Sequence, residues 1–198
     1  INQGVPITYY SQFNSGSPIV VKTTLTTADD YLAQARASKY KEGRSQTVIR
    51  LAKQSLITRK SSAAYELIGE MKINMGNSID AINDFNKAIQ IQSHNPNPYI
   101  NRGRAKRRIK DYDGAIDDFR TALKHSKSKG ARGAAYNNLG TVKNDMRDYK
   151  GAISAYSKAI EQNSILNFMS YINRALSYQR ISDLKAAQKD LSAAIQIY

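Results

Sequence analysis

The sequence predicts an all-α solenoid of antiparallel helix pairs, preceded by a non-helical N-terminal arm. Three observations carry this. Four segments repeat one spacing of aromatic, small and large apolar residues. Within each segment the apolar positions follow helical spacing, not strand alternation. A short polar turn of Gly, Asn, Asp, Ser, Lys or Arg divides each segment in two.

The copies align on Tyr65, Ile68, Gly69, Ala81, Phe85 and Ala88; Tyr99, Arg102, Gly103, Ala115, Phe119 and Ala122; Tyr136, Leu139, Gly140, Ala152, Tyr156 and Ala159; and Tyr171, Arg174, Ala175, Ala187, Leu191 and Ala194. Their leading aromatics stand 34, 37 and 35 residues apart. Self-similarity at such a period marks a repeat architecture, in which each unit's apolar flank is covered by its neighbour. Ile79, Ile82, Phe85 and Ile89 form one helical stripe, Ile116, Phe119 and Leu123 a second, and Ile153, Tyr156 and Ile160 a third. The dividing turns are Gly76-Asn77-Ser78, Lys110-Asp111, Arg147-Asp148 and Ser182-Asp183. Their Asn, Ser and Asp side chains suit the start of a helix, where free N–H groups need acceptors. Gly69, Gly103, Gly140 and Ala175 on the first helix, and Ala81, Ala115, Ala152 and Ala187 on the second, allow close approach.

These residues resemble the tetratricopeptide repeat (TPR), an aromatic followed by Leu-Gly, then Ala and Phe four apart, then Ala. The resemblance covers residues 62–198, with units at 62–95, 96–129, 133–166 and 168–198, and implies a right-handed superhelix. Arg102 and Arg174 stand where the family usually has Leu, and Lys72, Lys106 and Lys143 where it has a second Tyr, kept only as Tyr178. Long basic stems can lie on apolar surface with their charge in water. The usual terminal proline is absent, and Pro96, two residues later, can break the chain instead. The Asn-Arg-Gly and Asn-Arg-Ala triplets, and Asp-Tyr-x-Gly-Ala-Ile, resemble the variety of this repeat common in bacteria, cyanobacteria included.

Residues 28–60 read as a degenerate first pair, with Tyr31 and Ala35 on its first helix and Thr47 and Leu51 on its second. Residues 1–24 have no helical periodicity, hold Gly4, Pro6, Gly16 and Pro18, and carry extended apolar pieces at 5–10 and 19–21. They read as a flexible tail or as an arm that docks on a groove of this chain or a neighbour. Ile195, Ile197 and Tyr198 fall near an uncovered end. Either more chain follows there, or that end meets a partner or a second copy.

Composition narrows the chemistry. The net charge is +14, from 30 basic and 16 acidic residues, which attracts polyanions. There is no cysteine, so disulfides, thiolate catalysis and Cys-based zinc sites are excluded. His94 and His125 fall in predicted loops between repeats and read as isolated imidazoles, not metal ligands. No apolar run approaches the ~18–20 residues of a membrane span. No phosphate loop, nucleophile elbow or metal-binding helix motif is present, so no catalysis and no cofactor are expected. A start at Ile1 reads as a processed or excised form. With the Ser/Thr/Tyr-rich arm it points to an exported bacterial protein, the cytoplasm being the alternative.

The resemblance places the concave, ligand-binding face on the first helix of each unit. That implies groove residues Glu66, Glu70 and Asn74; Asn101, Arg104, Arg107 and Arg108; Asn137, Asn138, Thr141 and Asn144; and Asn173, Gln179 and Arg180. Asn101, Asn138 and Asn173 occupy one repeat position. An Asn amide there can grip a peptide backbone through its donor and acceptor, or bond helix to helix; both readings stand. Residues 102–110 hold six basic side chains in nine, and guanidinium groups match carboxylates bidentately. Asp80, Asp84, Asp113, Asp117 and Asp118 are expected on the opposite, convex side, which favours an anionic ligand in the groove. Lys124, Lys127, Lys129 and Arg132 read as a mobile basic loop with Ser126, Ser128, Gly130 and Gly133, serving phosphate, lipid head groups or solubility. The expected function is a protein–protein interaction scaffold that binds an extended acidic peptide. A nucleic-acid-binding or anionic-membrane-binding basic solenoid is the alternative, and the scarcity of groove aromatics weighs against nucleic acid.

Overall fold

A computed structural model describes residues 6–11, 19–24, 27–40, 43–162 and 167–197. The described residues form α1 (Ala28–Ser38), α2 (Ser45–Thr58), α3 (Ser62–Asn74), α4 (Ser78–Ile91), α5 (Pro96–Arg108), α6 (Tyr112–His125), α7 (Lys129–Asp145), α8 (Tyr149–Glu161), α9 (Asn167–Arg180) and α10 (Leu184–Ile197). Two strands, β1 (Pro6–Ser11) and β2 (Ile19–Thr24), pair antiparallel with Pro6 opposite Thr24 and Ser11 opposite Ile19. The described residues of the arm are therefore non-helical, and its two apolar pieces pair as antiparallel strands. Each helix packs on the next, and α3, α5, α7 and α9 also touch one another in succession. This second set of contacts puts the odd-numbered helices on the inner side of the curve.

The small residues act as the sequence implies. A Cβ on Gly69, Gly103 or Gly140 would stand 2.7, 2.7 and 2.6 Å from a ring carbon of Phe85, Phe119 and Tyr156. These three rings are at most 2% exposed, and full burial of an aromatic contributes roughly 1.5–3 kcal/mol. In the fourth unit Ala175 replaces Gly, and the equivalent large residue is Leu191. The stripe through α4 is narrower than its periodicity suggests. Ile79 is 68% exposed, whereas Phe85 is fully buried, because Ile79 sits in the first turn, beyond the edge of the facing helix.

The turns within the last four helix pairs use one construction. Asn77, Asp111, Asp148 and Asp183 donate N–H to the carbonyls of Lys72, Lys106, Lys143 and Tyr178, while Gly76, Lys110, Arg147 and Ser182 donate to Ile73, Arg107, Asn144 and Gln179. This is the paired closure of a helix C-terminus that needs a left-handed residue. Gly76 has φ 84°, and Lys110, Arg147 and Ser182 hold φ 63–64° without being glycine. The Asp side chains then cap the next helix by accepting from Gly114, Gly151 and Ala186. The Gly151 amide, with the Lys143 ammonium, holds the Asp148 carboxyl below its ordinary pKa.

Three expectations need correction. The first pair exists, but its second helix is registered one residue later than Thr47 and Leu51 imply. Counted five residues from the positive-φ glycine, as Ala81 is from Gly76, the small position is Val48, which is fully buried. The basic segment after α6 is not a loop. Ser128 caps α7 by accepting from Ala131, so Lys129, Gly130, Arg132 and Gly133 are helical, and Arg132 donates to Leu123 and Gln162. The longer 37-residue period is taken up as an added helical turn. Finally, Asp84 and Asp118 are not on the convex surface; they are buried, while Asp80, Asp113 and Asp117 are exposed. At the last helix, Leu184, Ile195 and Ile197 are 68%, 77% and 52% exposed, as expected of α10; Tyr198 lies outside the described residues.

The ring-over-glycine contact is directly testable. Gly103→Ala is expected to lower stability by about 1–3 kcal/mol through overpacking, outweighing its helix-propensity gain of ~1 kcal/mol. Adding Phe119→Leu, which removes the ring that the new methyl meets, should recover part of the loss; urea denaturation of the single and double variants measures the coupling.

Candidate functional site

The inner helices enclose a cavity of about 560 Å³ between α3, α5 and α7. Its wall includes Glu66, Glu70, Asn101, Arg104 and Asn138, and on the α7 side Ser128, Gly130 and Ala131. The last three belong to, or cap, the added turn of α7. Asn101, Arg104 and Asn138, predicted from sequence, thus share one concavity. Arg108, Asn137, Thr141, Asn144, Asn173 and Arg180 lie outside it.

Hydrogen bonds explain the difference. Asn101 Nδ2 donates to Glu70 Oε1 at 3.2 Å, and its Oδ1 accepts from Arg104 at 3.1 Å. Asn173 Nδ2 donates to Asn137 Oδ1 at 3.2 Å, and Ser170 Oγ donates to the same oxygen. Ser177 Oγ donates to Asn144. Thr141 donates to the Asn137 carbonyl and accepts from Tyr156. Asn138 Nδ2 is turned onto the Ala134 carbonyl of its own helix. Two of the three equivalent asparagines therefore tie their helix to the preceding inner helix. Arg108 donates to the Ile73 carbonyl, beside the turn at Gly76. Arg107 is 3.0 Å from Asp145 at the end of α7. Arg180 is exposed at the end of α9.

The cavity carries both signs of charge. Glu70 pairs with Lys39 of the first unit at 2.5 Å. Glu66 accepts from Ser62 and Asn95. Burial pushes its carboxyl above the usual range, and neighbouring Glu70 adds to the rise. Arg104 is held below the usual guanidinium value by partial burial and then by Arg108 and Arg107, with Glu70 opposing; it stays charged regardless. Of its five donors, Arg104 commits one to Asn101.

The basic residues that depart from the repeat pattern serve a different purpose. Arg102 grips Asp118 through Nε at 2.9 Å and Nη2 at 2.5 Å, and reaches Asn86. Lys106 joins the same carboxylate at 3.1 Å. Arg174 grips Asp190 at 2.7 Å through both nitrogens and reaches Ser157. Lys72 stands 2.6 Å from Asp84. Arg102 and Asp118, like Arg174 and Asp190, lie 16 residues apart, and where the third unit has Leu139 its partner is Ala155. That spacing was the signal in the sequence for these ion pairs. Arg102 and Lys106 of the 102–110 basic cluster thus share one carboxylate within the walls.

The sequence profile of the tetratricopeptide repeat family matches residues 62–95, 96–127 and 133–165, half of the chain. The chain belongs to the tetratricopeptide repeat family. TPR solenoids are, as a class, protein–protein interaction scaffolds. Among solved structures, the TPR chain resembles a crystal structure of MamA at 22% identity, with TM-score 0.67 over 88% of this chain and 96% of that one. It resembles Pseudomonas aeruginosa PilF at 17% identity, with TM-score 0.76 over 86% and 76%. It also resembles YrrB, described as a TPR protein with an unusual peptide-binding site, at 16% identity, with TM-score 0.60 over 86% of each chain. At these identities the likeness is one of fold. No curated protein sequence matches the chain.

Asp118→Ala is expected to cost about 2–4 kcal/mol, because Arg102 and Lys106 lose their partner in a largely buried setting. The combination Arg102→Leu with Asp118→Ala, which copies Leu139 and Ala155, should restore most of it, as read by thermal or urea unfolding.

Proposed function

We propose that this TPR domain binds an extended acidic peptide segment along its inner helices, with the cavity of Asn101, Arg104 and Asn138 as the anchor. The carrying observation is Arg104. It is a partly desolvated guanidinium with four donors beyond its bond to Asn101, in an open concavity roomy enough for a peptide segment. A carboxylate placed there gains a bidentate, charge-assisted contact that water gives up at little cost. Glu66 tunes the same site. When ionised it repels an acidic ligand, and when protonated it donates.

The sign of the pH effect follows. A carboxyl whose folded pKa is raised contributes stability below its unfolded value, and that contribution is lost as pH rises through the folded value. Protonation of Glu66 therefore suits the folded site and an anionic ligand alike. Affinity for a glutamate-rich peptide should rise as pH falls from 7 toward about 5.5, where peptide carboxylates remain largely ionised. Glu66→Gln should tighten binding by about 2–5-fold and flatten that dependence, and Arg104→Glu should weaken it by at least about tenfold. Fluorescence anisotropy with a labelled glutamate-rich decapeptide reads both changes. Undiminished affinity in Arg104→Glu would remove the anchor, and a tighter complex at pH 8 than at pH 6 would remove the role of Glu66.

A further inference from the structure

His94 and His125 belong to neither the cavity nor the core, and 31 residues separate them in sequence. The fold nevertheless brings them together. His94 lies in the turn between α4 and α5, and His125 is the last residue of α6, not a loop residue. Their Nδ1 atoms are 3.5 Å apart, with ring centroids 5.2 Å apart and planes inclined at 72°. Tyr99 of α5 stacks on His125 with centroids 5.8 Å apart. Tyr99 is itself held, its hydroxyl donating to the Ser93 carbonyl at 3.0 Å and its ring lying 5.5 Å from Arg102, which Asp118 fixes. The His125 ring thus rests against an ordered wall and faces its partner on the open side.

We propose that His94 and His125 form a two-imidazole site for a divalent transition metal of the zinc or copper type, bound through both Nδ1 atoms. In a tetrahedral zinc site, Zn–N bonds of about 2.0–2.1 Å place two ligand nitrogens about 3.3–3.4 Å apart, against the 3.5 Å here. Imidazole suits zinc, copper and nickel, and the general affinity order favours copper. Coordination needs both Nδ1 lone pairs, so each ring carries its proton on Nε2 and the neutral pair loses none on binding. No group of three or more His, Asp or Glu is poised for a metal among the described residues, so water completes the coordination. Lys124, next to His125, opposes the added charge and keeps the affinity modest. The two rings come from successive repeats. A bound ion therefore clamps the junction between them and favours the folded array, which alone presents the pair.

The test is calorimetric titration of untagged full-length protein with zinc chloride and with copper sulfate at pH 7.5. One ion per chain is expected, copper tighter than zinc, with a dissociation constant on the order of 10–100 μM for zinc and a raised melting temperature. His94→Ala and His125→Ala should each weaken binding at least about tenfold, with circular dichroism unchanged, whereas His125→Cys should retain it. Full-strength binding in either Ala variant, or no heat with either metal at millimolar concentration, overturns the proposal.

Discussion

Three successive repeats close on one contact, an aromatic ring set against a glycine on the partner helix. Phe85 on Gly69, Phe119 on Gly103 and Tyr156 on Gly140 leave no room for a methyl group. The backbones can come this near only because the first helix has no side chain there. Once they do, the flanking alanines meet as well, and the crossing of each pair is set. Stacking then propagates from unit to unit, since the remaining apolar flank of each pair is completed only by the next. In the fourth unit Ala175 and Leu191 take the two positions, and Leu191 is 39% exposed, so the buried ring contact is not repeated there.

Charge is organised around this packing and not across the molecule as a whole. A net charge of +14 suggests a uniformly basic groove. The walls instead hold Arg102, Lys106 and Arg174 in buried pairs with Asp118 and Asp190, and Lys72 with Asp84. The groove keeps a smaller and mixed set, Arg104 beside Glu66 and Glu70. In this cavity a partner meets the Arg104 guanidinium flanked by two carboxylates, which makes recognition positional instead of a matter of bulk attraction.

The fold was legible because its determinants are local and repeated. Gly, Ala and aromatic residues recur at fixed spacing, and the turn geometry recurs with them. The site was less legible because it depends on which neighbour reaches a side chain first. Asn101 and Asn138 share a repeat position, yet one bonds Glu70 on the preceding helix and the other its own backbone. Arg102 reads as a long basic stem lying on apolar surface until Asp118, 16 residues on, claims it. The meeting of His94 and His125 has no periodic signal, since the two occupy different positions of their repeats. In the first pair a one-residue shift moved Val48 into the place expected for Thr47, because the turn at Gly43 comes one residue later than the 34-residue period puts it.

The surplus residues between the second and third units have an architectural outcome. They lengthen α7 to 17 residues, against 13 for α3 and α5, which extends its axis by about 6 Å at the standard rise per residue. Ser128, Gly130 and Ala131 at that extension become a rampart on one flank of an otherwise shallow trough. An ordinary tandem array presents the same relief at every junction. This one departs furthest from its 34-residue period at the junction of the second and third units, and the cavity of Arg104 lies there, shaped by an insertion in the ruler.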